Sequence, residues 1–299
     1  MARKRGKGRR GNGRWSAGIT GAALGVAAGA ALGAFVLAPG GIDLGGVGGG
    51  GDAARERDEA IAQRDDAETR ADAANEVVTD LAAQVVDGAL EEIPVLLVVA
   101  PDANPESADA MAELLGDAGA HDAGRIVLTE KFVSEQSADE LKDVVTGALP
   151  AGATLDPERR DPGFQAGQAL APALLLDDGD GERAPAPERG LLLGSLRDAG
   201  FIDYEDGTIR PAAAVVLVAG AGSGEGEDPG FGTRVLGDFA EALDADRTVV
   251  VGGEPESARD NGVVAHLRDA EVAVGTTAAI GDPSGRVSVV RAIVEGEGE

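Results

Sequence analysis

The stretch with the most chemical promise is VLVAGAGSGEGED (216–228), an apolar run of strand length that opens into glycines. Such a loop offers backbone N–H groups to a phosphate when the spacing is G-x-G-x-x-G and a helix follows. Gly220 and Gly222 fit that spacing, but Glu225 stands where the third glycine belongs. Glu225, Glu227 and Asp228 would also set negative charge against a pyrophosphate, so an acidic loop is expected and no dinucleotide. A second candidate is VVVGGEPESAR (249–259), which places Gly252, Gly253 and Glu254 at a strand end, where open α/β sheets take ligands.

Metal chemistry has less to work with. A Cu(I) site is built from thiolate, thioether or imidazole. The chain has no Cys, and its only such groups are His121, His266, Met1 and Met111, none at paired spacing. Asp177, Asp178 and Asp180 form an acidic cluster without the spacing of a calcium loop. No G-x-S-x-G elbow occurs. The residues therefore predict no catalytic, cofactor or metal site and a protein that is not an enzyme.

The elements that would position these groups alternate. IPVLLVVA (93–100), 125–128, 212–220, 247–253, 270–278 and RVSVVRAIV (286–294) read as strands. A helix is expected to start at Asn104-Pro105-Glu106, with Asn104 as N-cap and Pro105 at the first helical position, and another at 137–149, with Ser137 and Glu140 as a capping box. Met111, Leu114 and Leu115 fall on the inner face of the first. Further helices fit 163–176, 188–199, 232–245 and 256–269, and the acidic, Pro-rich DDGDGERAPAPE (177–188) reads as an exposed loop. Buried strands alternating with amphipathic helices predict a three-layer, Rossmann-like α/β domain with a mainly parallel sheet over 91–295.

What precedes this domain is different in kind. Residues 1–15 are basic, with seven Lys and Arg and no acid up to Arg14, although the chain carries a net charge of −27. The acid excess thus falls on the remainder, which should repel nucleic acid and anionic headgroups. Residues 16–38, SAGITGAALGVAAGAALGAFVLA, hold no charge over 23 positions. As a helix they reach about 34 Å, enough for a hydrocarbon core of about 30 Å. A cleaved export signal is the rival, but Pro39 follows the small-residue exit and the apolar run exceeds the usual signal core. An uncleaved single-pass anchor is expected, N-terminus cytoplasmic and C-terminal domain extracytoplasmic. Gly21, Gly25, Gly29 and Gly33 recur at every fourth position, a stripe that lets a second helix approach closely in lipid.

A glycine-rich linker (39–51) leads into a coiled-coil-like helix (52–90) with a seven-residue rhythm, RDEAIAQ, RDDAETR, ADAANEV, VTDLAAQ. Its seam collects Ala60, Ala67, Ala71, Ala74, Val78, Leu81 and Val85, interrupted early by Arg57 and Arg64. A solvated single stalk and a parallel coiled coil both remain open, because alanine buries little area.

The strings TEKFVSEQSADELKDVVTGALPAG (129–152), GFQAGQALAPALL (163–175) with its QAG turn, LRDAGFIDYEDG (196–207) and GRVSVVRAIV (285–294) resemble the copper transport outer-membrane protein family, MctB-like with SteB-type cell-division relatives. The resemblance spans roughly 90–295 and implies one membrane span, a coiled-coil helix and an extracytoplasmic α/β domain. It also implies copper transport, or control of cell-wall hydrolysis at division through a membrane partner. The chain departs from the pattern in its basic, glycine-rich start and in lacking a ligand set for copper. The combined expectation is a non-enzymatic, membrane-anchored envelope protein that self-associates or docks a membrane-protein partner, with a component of copper efflux as the alternative and an enzyme on the α/β sheet as the lesser one.

Overall fold

The computed structural model describes residues 50–297 except 178, 180, 223–227, 229, 245 and 246. The anchor 16–38, the glycine stripe and most of the linker therefore lie outside the described residues. Among the described residues no helix is long and apolar enough to cross a membrane. The chain divides into two compact units, Met1–Ala62 and Gln63–Glu299. Of the first, the described part is the opening of helix α1 (Gly50–Val86), which starts two residues inside the expected linker and stops short of the expected Leu90.

The second unit is built on six strands: β1 (Pro94–Val99), β2 (His121–Leu128), β3 (Ile202–Tyr204), β4 (Ala214–Ala219), β5 (Thr248–Gly253) and β6 (Gly275–Thr277). They lie in the order β3-β2-β1-β4-β5-β6, all parallel except β3, which runs antiparallel to β2. Helices α2 (Pro105–Asp117), α3 (Ala138–Gly147), α4 (Pro162–Leu174), α5 (Ala186–Asp198), α6 (Phe231–Asp244), α7 (Val263–Asp269) and α8 (Pro283–Glu297) cover the two faces. The continuous apolar runs follow from this geometry, since alternate side chains of one strand enter different cores. Leu96, Val98, Val215 and Leu217 join α3 to α7 on one face. Val95, Leu97, Val216 and Val218 meet the end of α1, α2 and α8 on the other. The expected three-layer α/β domain with a mainly parallel sheet is what forms.

Local chemistry sets one helix start and not another. The Asn104 side chain accepts from the Glu106 N–H at 2.9 Å, and Pro105 opens α2 as read from the sequence. The capping box does not form. A 3-10 turn (Glu135–Ser137) precedes α3, Ser137 makes no side-chain cap bond, and Glu140 instead takes the Lys131 ammonium at 2.7 Å.

Three other expectations are corrected. RVSVVRAIV is not a strand; it lies in α8, where Val289, Val290 and Ile293 are buried at helical spacing. Its β-branched content suggested a strand, but spacings of three and four match one helix face. The expected helix 256–269 breaks into a 3-10 turn (Pro255–Ala258) and α7. Asn261 takes a left-handed φ of 67° there, and a Cβ on Gly262 would fall 2.1 Å from the Ser257 carbonyl oxygen, so the chain turns where a helix was expected. The QAG segment is no turn either: Gly167 sits inside α4 against Phe239 and Ala242 of α6.

Candidate functional site

In an open α/β sheet the ligand crevice opens where strand order reverses, here between β1 and β4. The loop after β1 brings Asp102 to that point, and the loop after β4 brings Gly220 and Gly222. Asp102 Oδ1 accepts from the Gly220 N–H at 3.2 Å, and Oδ2 accepts from the Gly222 N–H at 3.0 Å. These are the amides that a phosphate-binding loop would turn toward its ligand. The protein's own carboxylate satisfies them instead. Gly220 is required by this contact, because a Cβ there would sit 2.0 Å from the Asp102 carbonyl oxygen. Glu225 lies outside the described residues.

The second candidate is closed as well. Gly252 packs against Ile280, and Gly253 against Ser257 and Val264. Glu254 accepts from the buried Ser107 hydroxyl at 2.8 Å, and Ser257 in turn donates to the Glu254 carbonyl at 2.6 Å. The glycines at this strand end thus serve close packing.

Among the described residues no three His, Cys, Asp or Glu side chains converge as a metal site. His121 is an exposed residue at the start of β2, and His266 lies on α7 with its Nε2 4.0 Å from Asp238 Oδ1. Asp177 turns inward on its own loop, accepting from the Gly181 and Gly179 N–H groups at 2.7 and 2.9 Å. Those two amides hold its carboxyl below the usual carboxylate range. Asp178 and Asp180 lie outside the described residues.

The stalk seam is the remaining candidate. Toward its end α1 presents one face to the domain: Ala82 and Val86 are buried with Leu90, and Asn75 Nδ2 donates to Asp282 Oδ1 at 3.1 Å. The adjacent seam is left outside. Val78 is half-buried, whereas Leu81 and Val85 are 48% and 66% exposed. Ala60 is exposed too, and nothing is described of the side chains of Ala67, Ala71 and Ala74.

The strings that carry the family resemblance tie the fold together. Thr129 Oγ1 donates to the Gly200 carbonyl at 2.7 Å, and Lys131 Nζ donates to the Ala199 carbonyl at 2.8 Å while lying 4.6 Å from the centre of the Phe201 ring. Phe132 meets Phe239 edge-on at 5.4 Å. The string TEKFV thereby fastens β2 to the α5–β3 turn and to α6.

Fold and site together define a doubly wound α/β domain whose Asp102 caps the Gly220 and Gly222 amides at the strand ends, led by a long helix that leaves Leu81 and Val85 exposed. A family model described as copper transport outer membrane protein, MctB, matches residues 16–299, and the chain belongs to that family. It is 31% identical over 240 residues to the copper transporter MctB of Mycobacterium tuberculosis (strain H37Rv), covering 77% of this chain and 75% of that protein. The copper transporter MctB of Mycobacterium bovis shows the same identity and coverage. That of Mycobacterium leprae is 33% identical over 127 residues, 42% of this chain and 40% of the relative.

Proposed function

We propose that this protein is a non-enzymatic, membrane-anchored envelope protein that works by docking, either onto a second copy or onto a membrane partner. The observation that carries the proposal is the position of Leu81 and Val85: both stay in solvent on a helix whose neighbouring face, Ala82 and Val86, is already committed to the domain. Exposed apolar residues at heptad positions suit a partner helix. The carboxylate-filled crevice at Asp102 supports the absence of a phosphate cofactor at the usual place.

The relatives' name adds a second reading, a part in copper transport across the envelope. With no Cys, two His and two Met in the chain, that part is assistance to another protein rather than ligation of the ion. In either reading the span 16–38 holds the protein in the membrane with its domain outside the cytoplasm.

The test is affinity purification from solubilised membranes with mass spectrometry and crosslinking in place, alongside copper content and copper sensitivity of a deletion strain. A crosslinked dimer or a stoichiometric membrane partner is expected. A monomer with nothing co-purifying would overturn the docking reading, and unchanged copper phenotypes would overturn the second.

A further inference from the structure

A cavity of about 890 Å³ lies between α5 and the loop that follows β3. One wall is a face of α5, including Arg189, Gly190, Leu193, Gly194 and Arg197; Ile209, Arg210 and Pro211 contribute the opposite one. A Cβ added at Gly190 or Gly194 would meet nothing within 4 Å, so the glycines widen the space rather than relieve a clash.

The charge here runs against the rest of the molecule. The chain carries −27 overall, yet three arginines line this one space against two acids, Glu182 and Asp206. Arg197 is engaged, paired with Asp206 and lying over the Tyr204 ring at 4.6 Å. Arg189 is not satisfied in the same way. Its side chain is only 11% exposed, and its Nη1 is buried without a hydrogen-bond partner among the described residues. Glu182 Oε2, 3.7 Å away, balances its charge as an ion pair but is too far for a hydrogen bond. Buried guanidinium donors are almost always partnered, because a planar fork of N–H groups loses its hydration on burial. Arg210 is exposed at the mouth and forms no ion pair among the described residues. Leu193 and Ile209 supply the apolar part of a lining that is otherwise polar.

We propose that this cavity binds a small organic oxyanion, a phosphate or carboxylate on an apolar body, through the guanidiniums of Arg189 and Arg210. Arg189 supplies the buried donor and Arg210 the charge at the entrance. Arg197, neutralised by Asp206, shapes the wall beside Tyr204. Guanidinium forks pair with either head group, so the apolar lining selects the body and not the head.

The experiment is isothermal titration calorimetry of the full-length protein in detergent with phenyl phosphate, benzoate and inorganic phosphate. Saturable binding with a dissociation constant of about 0.1–1 mM is expected for at least one aromatic probe, and inorganic phosphate should bind more weakly. Which head group binds identifies the chemistry of the natural ligand. Arg189→Gln and Arg210→Gln should each weaken binding about tenfold, and Gly194→Leu, which places a side chain on the α5 wall of the cavity, should weaken it as well. Arg210 is exposed, so its variant reads binding in a folded protein, with thermal melts as the check. No saturable heat up to about 10 mM, or binding retained within twofold in the Arg189→Gln/Arg210→Gln double variant, would overturn the assignment.

Discussion

Replacing Asp102 with alanine removes the acceptor of two backbone amides and nothing else of size. The Gly220 bond is 3.2 Å and partly buried, and the Gly222 bond is 3.0 Å and exposed. Hydrogen bonds to a charged acceptor contribute about 1.5–3 kcal/mol when shielded, and less where water can substitute. Taking the lower end for Gly220 and less for Gly222 gives a loss of about 2 kcal/mol. For a domain of this size that lowers Tm by about 4–8 °C. Asp102→Asn keeps one oxygen and turns an N–H toward the other amide, so its loss should be about half as large. Both are measured by circular-dichroism melts or calorimetry. A further signature separates this account from simple loss of packing. The alanine variant leaves two amides at a strand end with no carboxylate, so phosphate should raise its Tm but not that of the wild type. An alanine variant melting within about 1 °C of wild type would refute the reasoning, as would equal phosphate stabilisation of both proteins.

Gly163→Ala and Gly167→Ala should each cost about 3 kcal/mol by chemical denaturation, because the new methyl would lie 2.0 Å from the Val235 carbonyl oxygen or 2.6 Å from the Ala242 Cβ, forcing α4 off α6. Leu81→Glu with Val85→Glu should abolish crosslinking while changing stability by less than about 0.5 kcal/mol per site, since both are exposed. Gly25→Leu with Gly29→Leu should weaken association without preventing membrane insertion, as read by crosslinking in fractionated membranes. Burial holds the Asp244 carboxyl above its ordinary 3.8, against a weaker opposing effect of the Val249 N–H. The folded state therefore binds the proton more tightly, and this group's contribution to stability falls as pH rises from 3.8 through the raised value. Asp244→Asn should stabilise the protein at pH 7 and flatten that acid-side slope in denaturant titrations.

Much of the fold was legible because the sheet is buried on both faces. That leaves short apolar runs such as IPVLLVVA with no other reading, and Asn104-Pro105 marked a helix start by local chemistry alone. Where β-branched residues fill a helix, as in 286–294, composition pointed one way and spacing the other. β3 was missed because three residues, Ile202–Tyr204, carry too little pattern. The closed crevice was half legible. The acids after Gly222 argued against a phosphate, but the residue that occupies the site is Asp102, 118 positions from Gly220, and no local pattern links the two. The cavity at Arg189 had no local signal, since its walls come from separate segments and its defining property is a donor left unpaired.

The bond from Asn75 to Asp282 joins residues separated by 207 positions, and Ala82 and Val86 share their core with Val289, Val290 and Ile293 of the final helix. During synthesis the stalk's buried side therefore emerges long before its partner. This face of the sheet can close only when the last helix has left the ribosome. Until then Val95, Leu97, Val216 and Val218 have one open side. The opposite core, built with α3 to α7, holds no residue of α8, so the two faces of the sheet are completed at different points of the chain. A stop codon a few residues before α8 would leave a sticky intermediate in place of a slightly shortened domain.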